Sequence, residues 1–264
     1  MWVRMEKGIL LYCITNDLNK GIFDISGMDG KGKLYGIESA GLYAVVGDVA
    51  LEEYGEEAMA EKGEDVEWLK EKAVMFMNII LKLHTLSDII PMKFLTIFTS
   101  LERVKNVINE NLEIFLHNFE KIQNREELSV KIYCDAKKYK DKMMGAEIAN
   151  FEKSLAGKPK GAAFFLKKKF DSELDDRVSS RICNIADSFT EGLKDFAAEM
   201  KSNKLLAKEI TEIPTPMILN CAFLIDNEKQ ELFNEKIEEL KNEYEDSGFM
   251  IDLSGPWPPF SFCE

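Results

Sequence analysis

The sequence has only two histidines among its 264 residues and no cysteine pair spaced C-x-x-C. Its five cysteines are odd in number, and most of them stand beside apolar or aromatic residues. Secreted disulfide frameworks use even numbers of cysteines, and zinc sites use closely spaced cysteine and histidine pairs. We therefore expect reduced, buried thiols in a cytoplasmic protein and predict no metal site.

Long hydrophobic runs are missing as well. The apolar run at 8–14 is far shorter than the roughly 20 residues that a helix needs to span a bilayer. No small-residue cleavage site follows it, so it does not resemble a signal peptide. The run is typical of a buried strand. The sequence predicts neither a membrane span nor an export signal.

Basic residues are outnumbered: 34 Lys and Arg stand against 47 Asp and Glu, which gives a net charge of −13. Such a balance maintains solubility and repels phosphate backbones. The local exception is the run Lys167–Lys169, which follows apolar residues and is typical of a solvated helix edge or strand end. We therefore expect no nucleic-acid partner.

Patterns of catalytic residues are also absent. No G-x-S-x-G motif occurs, and adjacent carboxylates such as Asp175 and Asp176 point in different directions on a helix. We expect His84, on the apolar side of its helix, to be packed or half-buried and His117 to be exposed. Neither belongs to an H-E-x-x-H spacing. The sequence predicts a protein that is not an enzyme and holds no cofactor.

One segment approaches a nucleotide-binding motif. Gly27, Gly32 and Lys33 match the first seven positions of a P-loop, but Leu34 stands where a Ser or Thr hydroxyl would hold magnesium. A P-loop also opens a helix, whereas the residues after Lys33 favour a strand. We interpret the segment as a mobile glycine-rich loop. A nucleotide-binding or small-ligand regulatory module is the alternative function.

Apolar spacing predicts an α+β protein of two domains. The first domain, 1–125, contains three predicted strands before its long helices, a fourth strand between them and a helix that starts after the N-cap Ser100. The predicted strands span 8–15, 34–38, 42–48 and 94–98, and the helices span 65–86 and 101–122. The strands at 34–38 and 42–48 form a predicted hairpin.

The second domain, 126–253, has the order βαββαβ with an elongated first helical segment, which is the ferredoxin-like split βαβ order. Its predicted strands span 128–134, 205–210, 217–225 and 249–253, and its helices span 136–155, 171–201 and 229–245. We interpret the first domain as a variant of the same plan. The polar break at 123–127 marks the boundary.

An extended tail, 254–264, closes the sequence with three prolines and three large aromatic residues. Proline favours an extended path. Because no charge occurs before Glu264, we predict that the tail packs back on the protein, with Trp257, Phe260 and Phe262 as structural staples. A contact of these aromatics with a partner is the alternative.

This tail resembles the closing motif Thr-Gly-Pro-Trp-Pro-Pro-Tyr-Ser-Phe of the gas vesicle protein GvpF/GvpL family. Further segments are similar to family motifs in the same order along nearly the whole chain. The matching positions include Pro91, Phe94, Thr96, Asn220, Phe223, Gly255 and Pro256. Leu95 departs from the pattern, because the family commonly has glycine there.

The resemblance implies a cytoplasmic minor protein that is associated with gas vesicles and needed for their assembly. It implies binding to the small hydrophobic shell protein and to other gas vesicle proteins, in a nucleation or chaperone-like role, and it supplies no catalytic residues. An acidic partner suits an aggregation-prone guest, which an apolar patch or a sheet edge would take up. Our candidate contact surface is the exposed side of the hairpin 34–48 and the helix 101–122.

Overall fold

The computed structural model describes residues 7–62 and 65–263. The chain forms two compact units. Unit 1 comprises the described residues up to Glu126 together with 257–263, and unit 2 comprises Glu127–Pro256. Each unit combines helices with one β-sheet. The predicted mixed α and β class is confirmed.

Unit 1 is built on a sheet in the order β2-β3-β1-β4, with β5 also pairing with β1. Strand β1 runs antiparallel to β3, β4 and β5. The strands are β1 Lys7–Thr15, β2 Tyr35–Ser39, β3 Leu42–Ala50, β4 Ile89–Pro91 and β5 Ile97–Phe98. The helices are α1 Leu51–Tyr54, α2 Glu56–Lys62, α3 Val66–His84, α4 Leu101–Glu110 and α5 Leu112–Ile122.

Strand β1 is buried on both faces, which explains its continuous apolar run. Leu10 and Tyr12 belong to the core that α3 covers, whereas Leu11 and Ile14 belong to the core under α4 and α5. A register shift after Leu11 lets the strand change the face of its later side chains. Unit 1 is therefore a sheet between two helical layers.

Unit 2 has a four-stranded sheet in the order β7-β8-β6-β9. Its strands are β6 Arg125–Cys134, β7 Ala197–Ser202, β8 Met217–Asp226 and β9 Phe249–Trp257. Its helices are α6 Ala136–Ser154, α7 Lys160–Lys194, α8 Lys208–Thr211 and α9 Gln230–Tyr244. Aromatic rings contact one another in the core, where Phe223 and Phe233 have ring centroids 5.4 Å apart.

Three predictions of element type or extent in unit 1 and unit 2 are wrong. The predicted strand 94–98 forms only at Ile97–Phe98, because Leu95 adopts a φ of +63° in a turn. No strand forms over the predicted range 205–210, where the short helix α8 begins at Lys208. The last part of the predicted helix 171–201 forms β7, whose pairing with β8 overrides helix propensity.

The predicted helix 101–122 is interrupted at Asn111. The side-chain amide of Asn111 donates a hydrogen bond to the carbonyl of Val107 at 2.9 Å, and its φ of −114° ends α4. Ser100 caps α4 as predicted, because its hydroxyl accepts from the backbone N–H of Arg103 at 3.3 Å. Over residues 7–62 and 65–263, no helix is both long and apolar enough to cross a bilayer.

All five cysteines are free thiols. Cys13, Cys134 and Cys221 are buried, and burial raises the pKa of the Cys134 thiol to about 11. Cys183 is exposed, which contradicts the expectation of burial at that position. The three buried thiols act as small apolar side chains of the two cores.

Candidate interaction surface

The predicted hairpin is present and places β2 at the outer position of its sheet. Its two-residue turn, Ala40 and Gly41, has φ values of +50° and +80°, as in the turns that match the twist of paired strands. On one side β2 pairs with β3. Among the described residues, no strand pairs with its other side.

The hairpin geometry shows which backbone groups point outward. In a two-residue hairpin the residues flanking the turn, Ser39 and Leu42, form a hydrogen-bonded pair. Hydrogen-bonded and non-hydrogen-bonded pairs then alternate along the ladder. The N–H and C=O groups of Gly36 and Glu38 therefore face away from β3. Such an edge is a template for another extended chain.

A groove of about 620 Å³ lies along this edge. Its lining comes from β2 and its turn and from the first two turns of α4: Tyr35, Gly36, Ile37, Glu38, Ser39, Ala40, Leu101 and Lys105. Leu101 is 50% exposed and offers an apolar contact. The hydroxyl of Ser39 donates to the side-chain oxygen of Asn109 at 2.8 Å, which ties the hairpin to α4.

A polar network fixes one end of the groove. The hydroxyl of Tyr35 donates to Oδ1 of Asp48 at 2.9 Å, and Nζ of Lys7 lies 2.8 Å from Oδ2 of the same carboxylate. The bond from Lys7 lowers the pKa of Asp48. Burial, aided by Asp48, raises the pKa of Tyr35 to about 12. Tyr35 is thus a neutral, oriented hydrogen-bond donor at physiological pH.

The glycine-rich loop at 27–33 does not have the geometry of a phosphate-binding loop. The carboxylate of Asp29 accepts from the backbone N–H groups of Lys31 and Gly32 at 2.9 and 3.0 Å, which are the amides that a phosphate would need. The ammonium of Lys33 donates to the carbonyl of Asp24 at 2.7 Å. The loop leads into strand β2 rather than a helix.

The tail residues lie against unit 1. Phe262 is only 3% exposed, and Nζ of Lys121 donates to its carbonyl at 2.9 Å. Phe260 packs against the core under α3, and Cys263 packs against the core under α4 and α5. Trp257 remains half-buried.

The family-motif positions of unit 1 occupy the segment around β4 and β5. Pro91 is buried and pairs with Cys13 of β1. Phe94 packs edge-on against Phe76 of α3, with ring centroids 5.5 Å apart. Thr96 donates its hydroxyl to the carbonyl of Lys93 at 2.7 Å. Leu95 lies in the left-handed region that favours glycine, which accounts for the glycine of the resembled family.

The family-motif positions of unit 2 also make contacts within the fold. The side-chain amide of Asn220 donates to the carbonyl of Lys204 at 2.7 Å, which anchors the segment before β8. Phe223 is fully buried in β8. Gly255 and Pro256 lie in β9, and Gly255 has a φ of +128°. These positions do not line the groove at β2.

The two histidines differ in environment. His84 is half-buried, and its Nδ1 has no hydrogen-bond partner among the described residues. Burial lowers its pKa, against the opposing influence of Glu126 and Asp88. His117 is exposed. The described residues contain no group of three or more His, Cys, Asp or Glu side chains placed to hold a metal ion.

The lowered pKa of His84 predicts a pH dependence of stability. As the pH falls, a histidine of ordinary pKa, about 6.5, becomes protonated in the unfolded chain before half-buried His84 becomes protonated in the folded chain. The contribution of neutral His84 to stability is therefore present above pH ~6.5 and decreases as the pH falls below that value. On acidification from neutral pH, the melting temperature of His84→Gln should fall less than that of the native chain. Thermal scans at each pH measure this difference, and the same scans of the exposed variant His117→Gln provide the comparison.

Comparisons with known proteins agree over nearly the whole length. A family model described as "Gas vesicle synthesis protein GvpL/GvpF" matches residues 8–264. Gas vesicle protein L of a Streptomyces strain is 22% identical over 223 residues, which cover 84% of this chain and 80% of that protein. Gas vesicle protein L1 of Halobacterium salinarum is 22% identical over 98% of this chain and 91% of its own length.

The fold is shared with solved structures. The crystal structure of the gas vesicle protein GvpF from Anabaena sp. PCC7120 superposes with a TM-score of 0.71 at 19% identity, covering 98% of this chain and 96% of that one. GvpF from Microcystis aeruginosa superposes with a TM-score of 0.66 at 16% identity, covering 97% and 99%. At these identities the likeness shows the fold.

Proposed function

Since this chain belongs to the gas vesicle synthesis protein GvpL/GvpF family, we propose that it acts in gas vesicle formation as a non-enzymatic assembly factor. In this proposal it works in the cytoplasm, in association with gas vesicles. Its guest is the small hydrophobic shell protein, which it holds in a nucleation or chaperone-like role together with other gas vesicle proteins.

The unpaired edge of β2 carries this proposal. An extended segment of the guest adds to the sheet through the outward backbone groups of Gly36 and Glu38, and main-chain hydrogen bonds supply affinity. Exposed Leu101 contacts an apolar side chain of the guest. The net charge of −13 keeps the complex in solution while an aggregation-prone segment is covered.

The domain organisation enters the proposal as well. The strand order β7-β8-β6-β9, with helices between β6 and β7 and between β8 and β9, supports a ferredoxin-like plan for the second domain. The two compact units support a division into an N-terminal domain, a C-terminal domain and a tail that packs back on the protein. We assign guest binding to the first of these domains.

The substitution Glu38→Pro tests the proposed edge. Proline lacks the outward N–H that an added strand needs, and its ring blocks close approach. Because the N–H of residue 38 faces away from β3, the internal ladder stays intact and the protein is expected to fold. Co-purification with the small shell protein should fall at least about tenfold, which corresponds to about 1.4 kcal/mol of binding free energy.

Two matched variants separate binding from folding. Glu38→Ala removes the same side chain but keeps the N–H, so it should bind like the native chain. Ile37→Pro removes an N–H that faces β3 and should lower the melting temperature. Undiminished co-purification of a folded Glu38→Pro variant would exclude the β2 edge as the binding site. Failure of the native chain to bind the shell protein would reject the proposed guest.

A further inference from the structure

The segment 153–170, which we call the basic tip, is positively charged within an acidic chain. It contains six lysines and no acidic residue, whereas the whole chain has a net charge of −13. It covers the end of α6, the connecting turn and the first three turns of α7. Lys167 approaches Glu152 and Lys169 approaches Glu173, each at 3.7 Å, and the charge of Lys168 is uncompensated among the described residues.

The basic tip also exposes two aromatic side chains. Phe164 is 68% exposed and Phe165 is 76% exposed, with ring centroids 6.4 Å apart. Phe170 stacks on Phe151 at a centroid distance of 3.8 Å and joins α7 to α6. The first fully buried residue of α7 is Leu174. The preceding 14 residues of α7 extend about 20 Å before it, and there the two rings contact each other and remain largely exposed.

A surface of opposite character lies on α3 of unit 1. It is a groove of about 670 Å³, which we call the acidic groove, lined by Asp65, Glu67, Trp68, Lys70, Glu71, Val74 and Met75. Val74 is 53% exposed. Packing against Tyr54, with ring centroids 5.9 Å apart, holds Trp68 in place. The acidic groove therefore combines three carboxylates, one lysine and a fixed apolar lining.

We propose that the basic tip of one copy of this protein docks into the acidic groove of a second copy. Phe164 and Phe165 enter the apolar part of the groove. Lys168 lies one turn after Phe164 on the same helix face and pairs with Glu71 of the second copy. Each surface has what the other lacks: exposed aromatics and lysines on one, and a groove with carboxylates on the other.

The second copy is favoured over an anionic lipid surface by charge. Apart from the basic tip, the chain is more acidic than its net charge of −13 indicates, and an anionic bilayer would repel it. A second copy supplies the counter-charge without this penalty. Because the two docking surfaces differ, the contact is heterologous, and copies join head to tail into a ring or an open chain. The contact does not involve the β2 edge, so it stands independently of the proposed guest binding.

Analytical ultracentrifugation of the full chain tests the proposal. The average mass should rise with concentration in the micromolar range and fall at high salt, since the contact is partly electrostatic. The variants Phe164→Ser/Phe165→Ser, Lys168→Glu and Glu71→Lys should each weaken association at least about tenfold. The controls Phe23→Ser and Lys20→Glu change an exposed aromatic and an exposed lysine elsewhere and should associate like the native chain.

A mixing experiment identifies the head-to-tail arrangement. Phe164→Ser/Phe165→Ser retains a native groove, and Glu71→Lys retains a native tip, so each alone should be monomeric and an equal mixture should form dimers and nothing larger. The double variant Lys168→Glu/Glu71→Lys should regain association through the reversed pair.

Three outcomes would overturn the proposal. The first is a native chain that stays monomeric at every concentration. The second is association that the tip and groove variants leave unchanged. The third is a monomeric chain whose Phe164 and Phe165 are needed for co-sedimentation with phosphatidylglycerol vesicles, which would assign the basic tip to a lipid surface.

Discussion

Replacing Phe262 with alanine should lower the free energy of unfolding of unit 1 by about 3–5 kcal/mol, the usual range for a buried phenylalanine. The side chain is 3% exposed, and its loss would leave a cavity beside a tail that Lys121 already holds through the carbonyl of Phe262. Urea titration followed by tryptophan fluorescence measures this loss, because Trp68 and Trp257 both belong to unit 1.

The matched variant is Trp257→Ala. Trp257 is half-buried, so its removal should cost less, about 1–2 kcal/mol from the smaller apolar area returned to water. This order makes Phe262, rather than Trp257, the principal staple of the tail. Near-native stability of Phe262→Ala would show instead that the tail is a free peptide, available to a partner.

Gly248→Ala should destabilise unit 2 by about 2–4 kcal/mol. Gly248 has a φ of +86°, and an added Cβ would lie 2.9 Å from the carbonyl oxygen of Asp135 and 3.1 Å from Cβ of Lys138. The carbonyl oxygen of Asp135 belongs to the backbone at the start of α6. The N–H of Asp135 also donates a hydrogen bond to the carbonyl of Gly248 at 2.8 Å. The clash can be relieved only by displacing α6 from the beginning of β9.

Gly157→Ala is the control for this effect. Gly157 also lies in unit 2 with a φ of +83°, but an added Cβ would meet nothing within 4 Å. Gly157→Ala should therefore lower the free energy of unfolding through backbone strain alone, by about 1–2 kcal/mol. Thermal unfolding of both variants by circular dichroism measures the difference. Equal losses would mean that the approach of Gly248 to Asp135 carries no cost.

Sequence patterns predicted those helices and strands that are determined by their own side chains. The run at 8–14 is apolar because both faces of β1 are covered, and Ser100 marks the start of α4 through its own hydroxyl. The strand β7 was missed because Ala197–Ser202 resembles the helix before it, and only pairing with β8 makes it a strand. Such long-range pairing leaves no local signal.

The candidate sites were predictable to different degrees. The turn residues predicted the hairpin at 34–48. They did not predict which strand lies at the edge of the sheet, because that depends on the order of all strands. The run Lys167–Lys169 was visible as charge alone. The exposure of Phe164 and Phe165 was not, since exposure depends on how far α7 extends past the core at Leu174.

The division of the chain into units has a consequence for synthesis on the ribosome. Because residues 257–263 belong to unit 1, the second unit is inserted within the first along the chain. The nascent polypeptide emerges from its N-terminus, so unit 2 has all of its residues while unit 1 still lacks Phe260 and Phe262. The unit that is begun first is thus completed last, and a ribosome that stops early releases a chain whose first unit lacks its final hydrophobic contacts.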